Sequence, residues 1–505
     1  MAALDSRTVI GVVGAGAMGA GIAQVAAAAG HPVLLFDAFP AAAARGHAGI
    51  VGALGRLVSK ERLTAEAAHA IAGRIRLCDT LEDLAPCALV IEAIVETLPA
   101  KHDLFGRLEA IVGPDCILAS NTSSLSITAL GAALADPARL VGMHFFNPAP
   151  LMALVEVVAG LASAPALVRA VADTATAWGK VPVVCKSTPG FIVNRVARPF
   201  YAEGLRLAQE GAADPATIDA VLREAGQFRM GPFELTDLIG HDVNFAVTRS
   251  VHAAYFNDPR FLPSLLQQEL VEAGWLGRKS GRGFYDYAEG ATRPQPCTAP
   301  PCSAPVSLDL LGDLGPAAAL ADLAAKAGLR VTRMGGPGLI DLGGTTLALS
   351  DGRSASERAA TEGIADLVVF DLVLDWCSAR RIAIAAADQS SAAALERAVG
   401  FFQAIGLAVS VFADVPGLAV LRTVAMLANE AADALYHGVA NAADIDLAMA
   451  KGVNYPLGPL AWAERIGLAR VLATLDHLAR TYGEDRYRAS ALLRRLVFAK
   501  GRFHD

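Results

Sequence analysis

The sequence predicts an α/β chain of several domains, opening on a Rossmann-like doubly wound sheet and continuing into helical domains. Three observations predict it: a length of 505 residues, an apolar opening punctuated by glycines, and an internal repeat in the helical part. A hydrophobic core stops growing near about 250–300 residues, so a chain this long divides. The composition agrees, because 54% hydrophobic and 18% charged residues suit helices packed on buried parallel strands.

Charge and cysteine usage narrow the function classes. A net charge of -7 leaves no broad basic face for a nucleic-acid backbone, so no nucleic-acid partner is expected. The seven cysteines are scattered without a Cys-x-x-Cys pair, which argues against a disulfide framework or structural zinc. No metal and a reducing cytoplasm are the expectation. Val9 to Gly30 carries no charge and could be mistaken for an export signal or a membrane span. Gly11, Gly14, Gly16, Gly19 and Gly21 break it into strand, turn and helix, no basic cluster flanks it, and no membrane association is expected.

The first part alternates β-rich runs with helical stretches. Strands are expected over 8–13, 32–36, 88–94, 116–119 and 140–145, then over 154–158 and 181–185. Strands fed by helices close as a right-handed doubly wound sheet that binds ligands at the strands' carboxyl ends. A long helical stretch from Phe191 through Glu210 begins the next domain. Five prolines and two cysteines between Ala291 and Pro305 mark a linker. Strands at 329–334, 365–372, 381–386 and 407–412 follow, and Gly335-Gly-Pro-Gly338 reads as a loop rather than a nucleotide turn.

The last hundred residues repeat an earlier segment. Thr188-Pro-Gly-Phe-Ile-Val-Asn-Arg195 is echoed by Val415-Pro-Gly-Leu-Ala-Val-Leu-Arg422, an offset of 227 from Pro189 to Pro416. The same offset joins Gly179 to Gly406, Glu203 to Glu430 and Gly231-Pro232 to Gly458-Pro459 without a gap. The helical domain therefore occurs twice, with Leu421 where the first copy has Asn194. The expected domains are 1–187, a nucleotide-binding sheet; 188–288, helical; 289–306, a linker; 307–413, a small degenerate α/β region; and 414–505, a second helical copy.

Gly14-Ala-Gly16-Ala17-Met18-Gly19 follows a strand and opens a helix. Gly14 permits the tight turn, Gly16 lets backbone N–H groups approach a pyrophosphate, and Gly19 allows helix-to-strand packing. Asp37 ends the second strand eighteen residues past Gly19, where a carboxylate accepts ribose hydroxyls and repels a 2'-phosphate, favouring NAD. The same side chain could instead cap the following helix. The polar run Ser120-Asn-Thr-Ser-Ser124 sits after a buried strand at the ligand edge. His144-Phe-Phe-Asn-Pro148 puts a histidine at the end of another strand, and Glu156 lies twelve residues on. A base that takes a hydroxyl proton as hydride leaves needs such a carboxylate to fix its tautomer.

Together with Pro189-Gly-Phe-Ile-Val-Asn-Arg195, Met230-Gly-Pro-Phe-Glu234 and Gly281-x-Gly-Phe-Tyr285, these motifs resemble the 3-hydroxyacyl-CoA dehydrogenases of fatty-acid oxidation. The resemblance spans about residues 7–287, and the extended chain looks like the bacterial two-part type, similar to the 3-hydroxyadipyl-CoA or 3-hydroxybutyryl-CoA dehydrogenases of phenylacetate breakdown. It implies NAD-dependent oxidation of a (3S)-3-hydroxyacyl-CoA to the 3-oxoacyl-CoA. It implies His144 as general base, Glu156 as its orienting partner, Asn194 at the thioester and Ser123 at the reacting oxygen. It implies that Asp37, Glu96, Lys101, Ser123, Asn147 and Lys279 line the NAD site, and that Lys60 meets the CoA phosphates. Relatives dimerise through the helical domain, so the second copy is expected to pack on the first, with a homodimer also open. Alternatives are a gulonate-type sugar-acid dehydrogenase on the same fold and a non-catalytic NAD-binding scaffold.

Overall fold

The computed structural model describes residues 3–504 and falls into two compact units, Met1–Arg195 with His437–Val453, and Val196–Tyr436 with Asn454–Asp505. In the first unit the elements run β1 (Ile10–Val13), α1 (Ala17–Ala28), β2 (Val33–Phe36), α2 (Pro40–Val58), α3 (Ala65–Gly73), β3 (Ile75–Leu77), β4 (Leu89–Glu92), α4 (Leu98–Ile111), β5 (Ile117–Ser120), α5 (Ile127–Gly131), β6 (Leu140–Phe145), β7 (Leu154–Ala159), α6 (Pro165–Ala177), β8 (Val181–Lys186) and a short α7 (Val193–Val196). The eight strands form one sheet in the order β3-β2-β1-β4-β5-β6-β7-β8.

Strands β1 to β6 are parallel, whereas β7 runs antiparallel to β6 and β8 follows β7. The parallel strands are apolar on both faces because helices cover both, and Ile10, Val12, Leu89, Ile91 and Val141 are fully buried. The carboxyl ends of β1, β4, β5 and β6 consequently share one edge. The strand Ile75–Leu77 escapes the sequence pattern: it is three residues long at the sheet edge, and Arg76 and Leu77 are exposed. Residues 437–453 also belong to this unit, where the Lys186 N–H donates to the Val439 carbonyl (2.9 Å) and Gly452 lies against Leu154 and Val193.

The expected long helix from Phe191 to Glu210 is two helices. Pro199 has no N–H to continue the ladder, and the chain breaks at Ala197. The second unit then carries α8 (Arg198–Gln209), α9 (Pro215–Glu224), α10 (Pro232–Ile239), α11 (His241–Ala254) and α12 (Leu265–Glu272). The segment 291–305 has no regular structure, yet it is strapped down. Ala299 N–H donates to the Val409 carbonyl (2.7 Å), and Ser410 Oγ donates to the Cys297 carbonyl (2.7 Å).

Beyond it come β9 (Ser307–Leu311), α13 (Leu320–Lys326), β10 (Arg330–Met334), β11 (Leu339–Asp341), β12 (Thr346–Leu349), α14 (Ala355–Glu362), β13 (Leu367–Phe370), β14 (Arg381–Ala386), α15 (Ala392–Ala404), β15 (Ala408–Val411) and α16 (Val420–Tyr436), with α17 (Ala442–Gly452) in the first unit and α18 (Pro459–Ile466), α19 (Leu468–Tyr482) and α20 (Ala491–Ala499) completing the second. The second sheet orders its strands β10-β9-β11-β12-β13-β14-β15.

The repeat reaches further back in structure than in sequence. With the same offset of 227, β6 starts where β13 starts, β7 where β14 starts, α6 covers α15 end to end, and β8 begins with β15. The pairing is conserved as well: Met143 faces Val157 and Phe370 faces Ile384 in antiparallel pairs, and both following strands add in parallel. His144 thus corresponds to Asp371. Its buried carboxylate accepts the N–H groups of Ala419, Val420 and Leu421 at the start of α16.

Within the second unit, α16 packs on α8 around one buried cation. Arg422 Nε lies 2.7 Å from Glu203 Oε2, its Nη1 lies 2.8 Å from Glu210 Oε2, and the hydroxyls of Tyr482 and Tyr487 close the ring. No helix of the described residues is long and apolar enough to cross a membrane.

Candidate active site

The glycine turn between β1 and α1 opens on a cavity of about 1050 Å³. Gly14 has φ +98, and a Cβ there would stand 2.5 Å from the Ala93 carbonyl oxygen. A Cβ on Gly19 would stand 1.8 Å from the Gly14 carbonyl oxygen, whereas one on Gly16 meets nothing within 4 Å. Two glycines therefore let backbone touch backbone, and the third faces space a ligand can fill. No side chain caps α1, and its first turn carries no acid, so its N-terminal amides favour an anion.

Asp37 lines the same cavity and also braces its wall. Its Oδ2 accepts the Ala15 N–H (2.8 Å), and its Oδ1 accepts the Phe39 N–H (2.9 Å). On α2, Ala42, Gly46, Gly49 and Ala53 present a strip of small residues to the cavity, and Gly46 approaches the Ala15 carbonyl. Arg45 and Arg107 line it too, and sequence reasoning missed both; Arg45 carried a signal in its place beside that small-residue strip. These features, an open glycine, uncapped amides and a carboxylate at the second strand end, fit a dinucleotide.

Three strands along, His144 and Glu156 face each other across the β6–β7 pair. His144 Nδ1 lies 2.7 Å from Glu156 Oε2, with both side chains buried. The other carboxylate oxygen accepts the N–H groups of Ile192 (3.0 Å) and Val193 (2.9 Å). One carboxylate therefore orients the imidazole and anchors the turn that carries Asn194. Phe146 and Phe191 flank the ring at 4.5 and 5.9 Å between centroids. With Nδ1 held by the carboxylate, Nε2 is left to accept a proton.

Asn194, just past the expected 187/188 boundary, lies in the same compact unit as the sheet, and its Nδ2 donates to the Ser123 carbonyl at 3.5 Å. The polar run is organised by Glu96, whose Oε1 accepts from Thr122 Oγ1 (2.5 Å), Ser123 N–H (2.9 Å) and Ser124 N–H (3.2 Å). Burial pushes the Glu96 carboxyl up, but Lys101 and these donors outweigh it and hold it below the ordinary range. Lys101 is itself buried, with its Nζ 2.5 Å from Glu92 Oε1 and 3.1 Å from Glu96 Oε2.

The structure thus gathers Ser123, Glu96, Lys101 and Asn194 into one network and His144 with Glu156 into another, joined through the 192–194 turn. Lys60 is exposed just past α2, and Asn147 is exposed on the loop after β6. Lys279 belongs to the second unit, where its Nζ lies 2.7 Å from Asp242 Oδ2.

Residues 9–188 match the family model for the NAD binding domain of 3-hydroxyacyl-CoA dehydrogenase, and residues 190–287 and 417–503 match its C-terminal domain. Residues 347–416 match the reduced Rossmann-fold domain of 3-hydroxybutyryl-CoA dehydrogenase. The 3-hydroxyadipyl-CoA dehydrogenase of Escherichia coli strain K12 is 45% identical over 485 residues, 96% of either chain. A probable 3-hydroxybutyryl-CoA dehydrogenase of Deinococcus radiodurans is 46% identical over 277 residues, 55% of this chain and 99% of that one. The crystal structure of 3-hydroxybutyryl-CoA dehydrogenase from Escherichia coli K12 superposes with a TM-score of 0.90 at 43% identity, covering 98% of this chain and 99% of that chain. The NAD-binding match over the first sheet, the C-terminal-domain match in each sequence copy of the helical part and the reduced Rossmann-fold match in the second sheet together span most of the chain, and the chain belongs to the 3-hydroxyacyl-CoA dehydrogenase family of NAD-dependent oxidoreductases.

Proposed function

We propose that this dehydrogenase oxidises the C3 hydroxyl of a (3S)-3-hydroxyacyl-CoA, with 3-hydroxyadipyl-CoA and 3-hydroxybutyryl-CoA as the substrates to test first. One observation carries the reading: the Glu156 carboxylate couples the His144 imidazole to the turn bearing Asn194, on the sheet edge that also holds the glycine turn. His144 Nε2 takes the hydroxyl proton. Glu156 keeps Nδ1 protonated and steadies the imidazolium that forms. Bound NAD supplies the hydride acceptor.

Asn194 holds the thioester, and Ser123 donates to the reacting oxygen. Asp37 receives the adenosine ribose hydroxyls. Glu96 and Lys101 act on the cofactor pocket indirectly, by fixing the Thr122–Ser124 backbone. Asn147, Lys279 and Lys60 are secondary contacts, the last to the CoA phosphates. The working domains are 1–187 for the cofactor, 188–288 for the substrate, a strap over 289–306, and a catalytically silent pair over 307–413 and 414–505. The silence follows from Asp371 and Leu421 standing where His144 and Asn194 stand in the first half. A cytoplasmic enzyme of aromatic-acid or fatty-acid breakdown, a monomer or a homodimer, fits this reading.

The test is a turnover panel: 3-hydroxybutyryl-CoA, 3-hydroxyadipyl-CoA, a long-chain 3-hydroxyacyl-CoA and free gulonate, each with NAD. NADH formation from the CoA esters and none from gulonate is expected. NADH from gulonate alone would overturn the reading.

A further inference from the structure

A second cavity, of about 210 Å³, lies wholly within the second unit between α8, α11, the 260–267 segment and the turn at 484–486. Four arginines line it, Arg198, Arg206, Arg260 and Arg486, against one acid, Glu484. Arg206 is already spoken for, with Nη2 2.6 Å from Glu484 Oε1 and Nε 3.1 Å from Glu210 Oε1. Arg260 pairs through Nη1 with Asp433 and, at 3.4 Å, with Glu430.

The remaining donors are matched only in part: Arg260 Nη2 donates to the Arg488 carbonyl at 3.2 Å, and Arg486 Nε stands 3.7 Å from Glu484 Oε2, beyond hydrogen-bond reach. Arg198, Arg260 and Arg486 are 5%, 5% and 7% exposed, and the Nε of each is buried without a hydrogen-bond partner. Ser264 Oγ, also on the cavity, is unpartnered too. Arg198 is the extreme case. Its Nη1 meets the Thr248 hydroxyl at 3.1 Å and its guanidinium lies over the Tyr201 ring, but no carboxylate pairs with it. Burial pulls this guanidinium below its ordinary value, opposed by the phenols of Tyr201 and Tyr455 rather than by an acid. A buried cation without a counter-ion and three orphaned N–H donors are costly to fold, and all belong to residues that line one cavity.

We propose that this cavity binds a small oxyanion, a carboxylate or a phosphate, held by Arg198, Arg260, Arg486 and Ser264. Planar guanidinium donors match the oxygens of either group, and a buried charge-assisted pair supplies the missing counter-charge. The anion has two sources: a free one, such as inorganic phosphate, or the terminal carboxylate of a dicarboxylic acyl-CoA. The second source rests on the dehydrogenase reading, and the first does not.

The test titrates the full chain, saturated with NAD so that the glycine turn is filled, with inorganic phosphate and with adipate at constant ionic strength. Saturable binding of either is expected, weakened at least about tenfold in Arg198→Met and in Ser264→Ala, the gentler variant that keeps the fold if the first does not. Heats absent in the wild type, or unchanged in both variants, would overturn the site. The source is read from kcat/KM for 3-hydroxyadipyl-CoA over 3-hydroxybutyryl-CoA. A ratio that falls about tenfold in Arg198→Met assigns the cavity to the substrate's carboxylate, and an unchanged ratio with weakened phosphate binding assigns it to a free anion. No NADH from either CoA ester in the wild type, with phosphate binding intact, would instead count against the dehydrogenase reading and leave the anion site standing.

Discussion

Glu156 serves two partners at once: its Oε2 stands 2.7 Å from His144 Nδ1, and its Oε1 accepts the amides of Ile192 and Val193. Glu156→Gln removes the charge and offers the imidazole an amide in place of a carboxylate. Turnover of 3-hydroxybutyryl-CoA is expected to fall about 10²-fold or more, with NAD affinity retained. A kcat within threefold of wild type would show that the carboxylate only anchors the turn.

Arg422 and Glu203 are both fully buried and belong to different copies of the helical repeat. Arg422→Met leaves Glu203 without its cation and Glu210 with Arg206 alone, and a loss of about 3–5 kcal/mol in urea unfolding is expected. Adding Glu203→Leu restores much of it, because the orphaned charge goes too. A chain ending at Gly290 lacks Arg422 altogether and is expected to be destabilised; if it stays folded and equally active, the second copy is not an internal partner for the first.

Two buried acids set a pH dependence. Burial pushes Asp219 up to about 7, against a hydrogen bond from Tyr285, the Phe233 amide and the charges of Arg223 and Arg293, and it pushes Asp371 up to about 6 against four backbone amides. Both folded values lie above the ordinary 3.8. Their contribution to stability is therefore full below pH 4 and is lost as pH rises through 6 and 7. At pH 5 the folded chain keeps protons the unfolded chain releases, about one per acid. Asp219→Asn is expected to remove about one proton from that release, measured by unfolding in buffers of different ionisation enthalpy, and an unchanged count would refute the shift.

Asp37 holds the Ala15 and Phe39 amides as well as the cavity wall. Asp37→Ala is expected to weaken NAD binding and to lower the preference for NAD over NADP, with Arg45 free to meet a 2'-phosphate. The ratio of catalytic efficiencies with the two cofactors checks this, and an unaltered ratio would make the side chain purely a brace.

The doubly wound sheet was legible because its strands are uniformly apolar and its turn needs glycines at fixed places. The strands β3, β9, β11 and β12 were not, since they are short, lie beside glycines or the proline-rich strap, and in the case of β3 expose two of three side chains. The helical repeat was readable only where residues are shared. Its earlier half keeps the strand register with different side chains, so the match of His144 to Asp371 needed coordinates. The Ser120–Ser124 run announced a site, but its organiser, Glu96 held by buried Lys101, carries no local pattern. The arginine cavity draws on residues from 198 to 486 and leaves no signature in any one segment.

The most direct measurement is steady-state turnover of His144→Ala with (3S)-3-hydroxybutyryl-CoA, alongside NAD binding to the same variant. The expected result is a kcat lowered by about 10² to 10⁴ with the NAD dissociation constant unchanged. Turnover at the wild-type rate in that variant would contradict a mechanism built on the His144 imidazole.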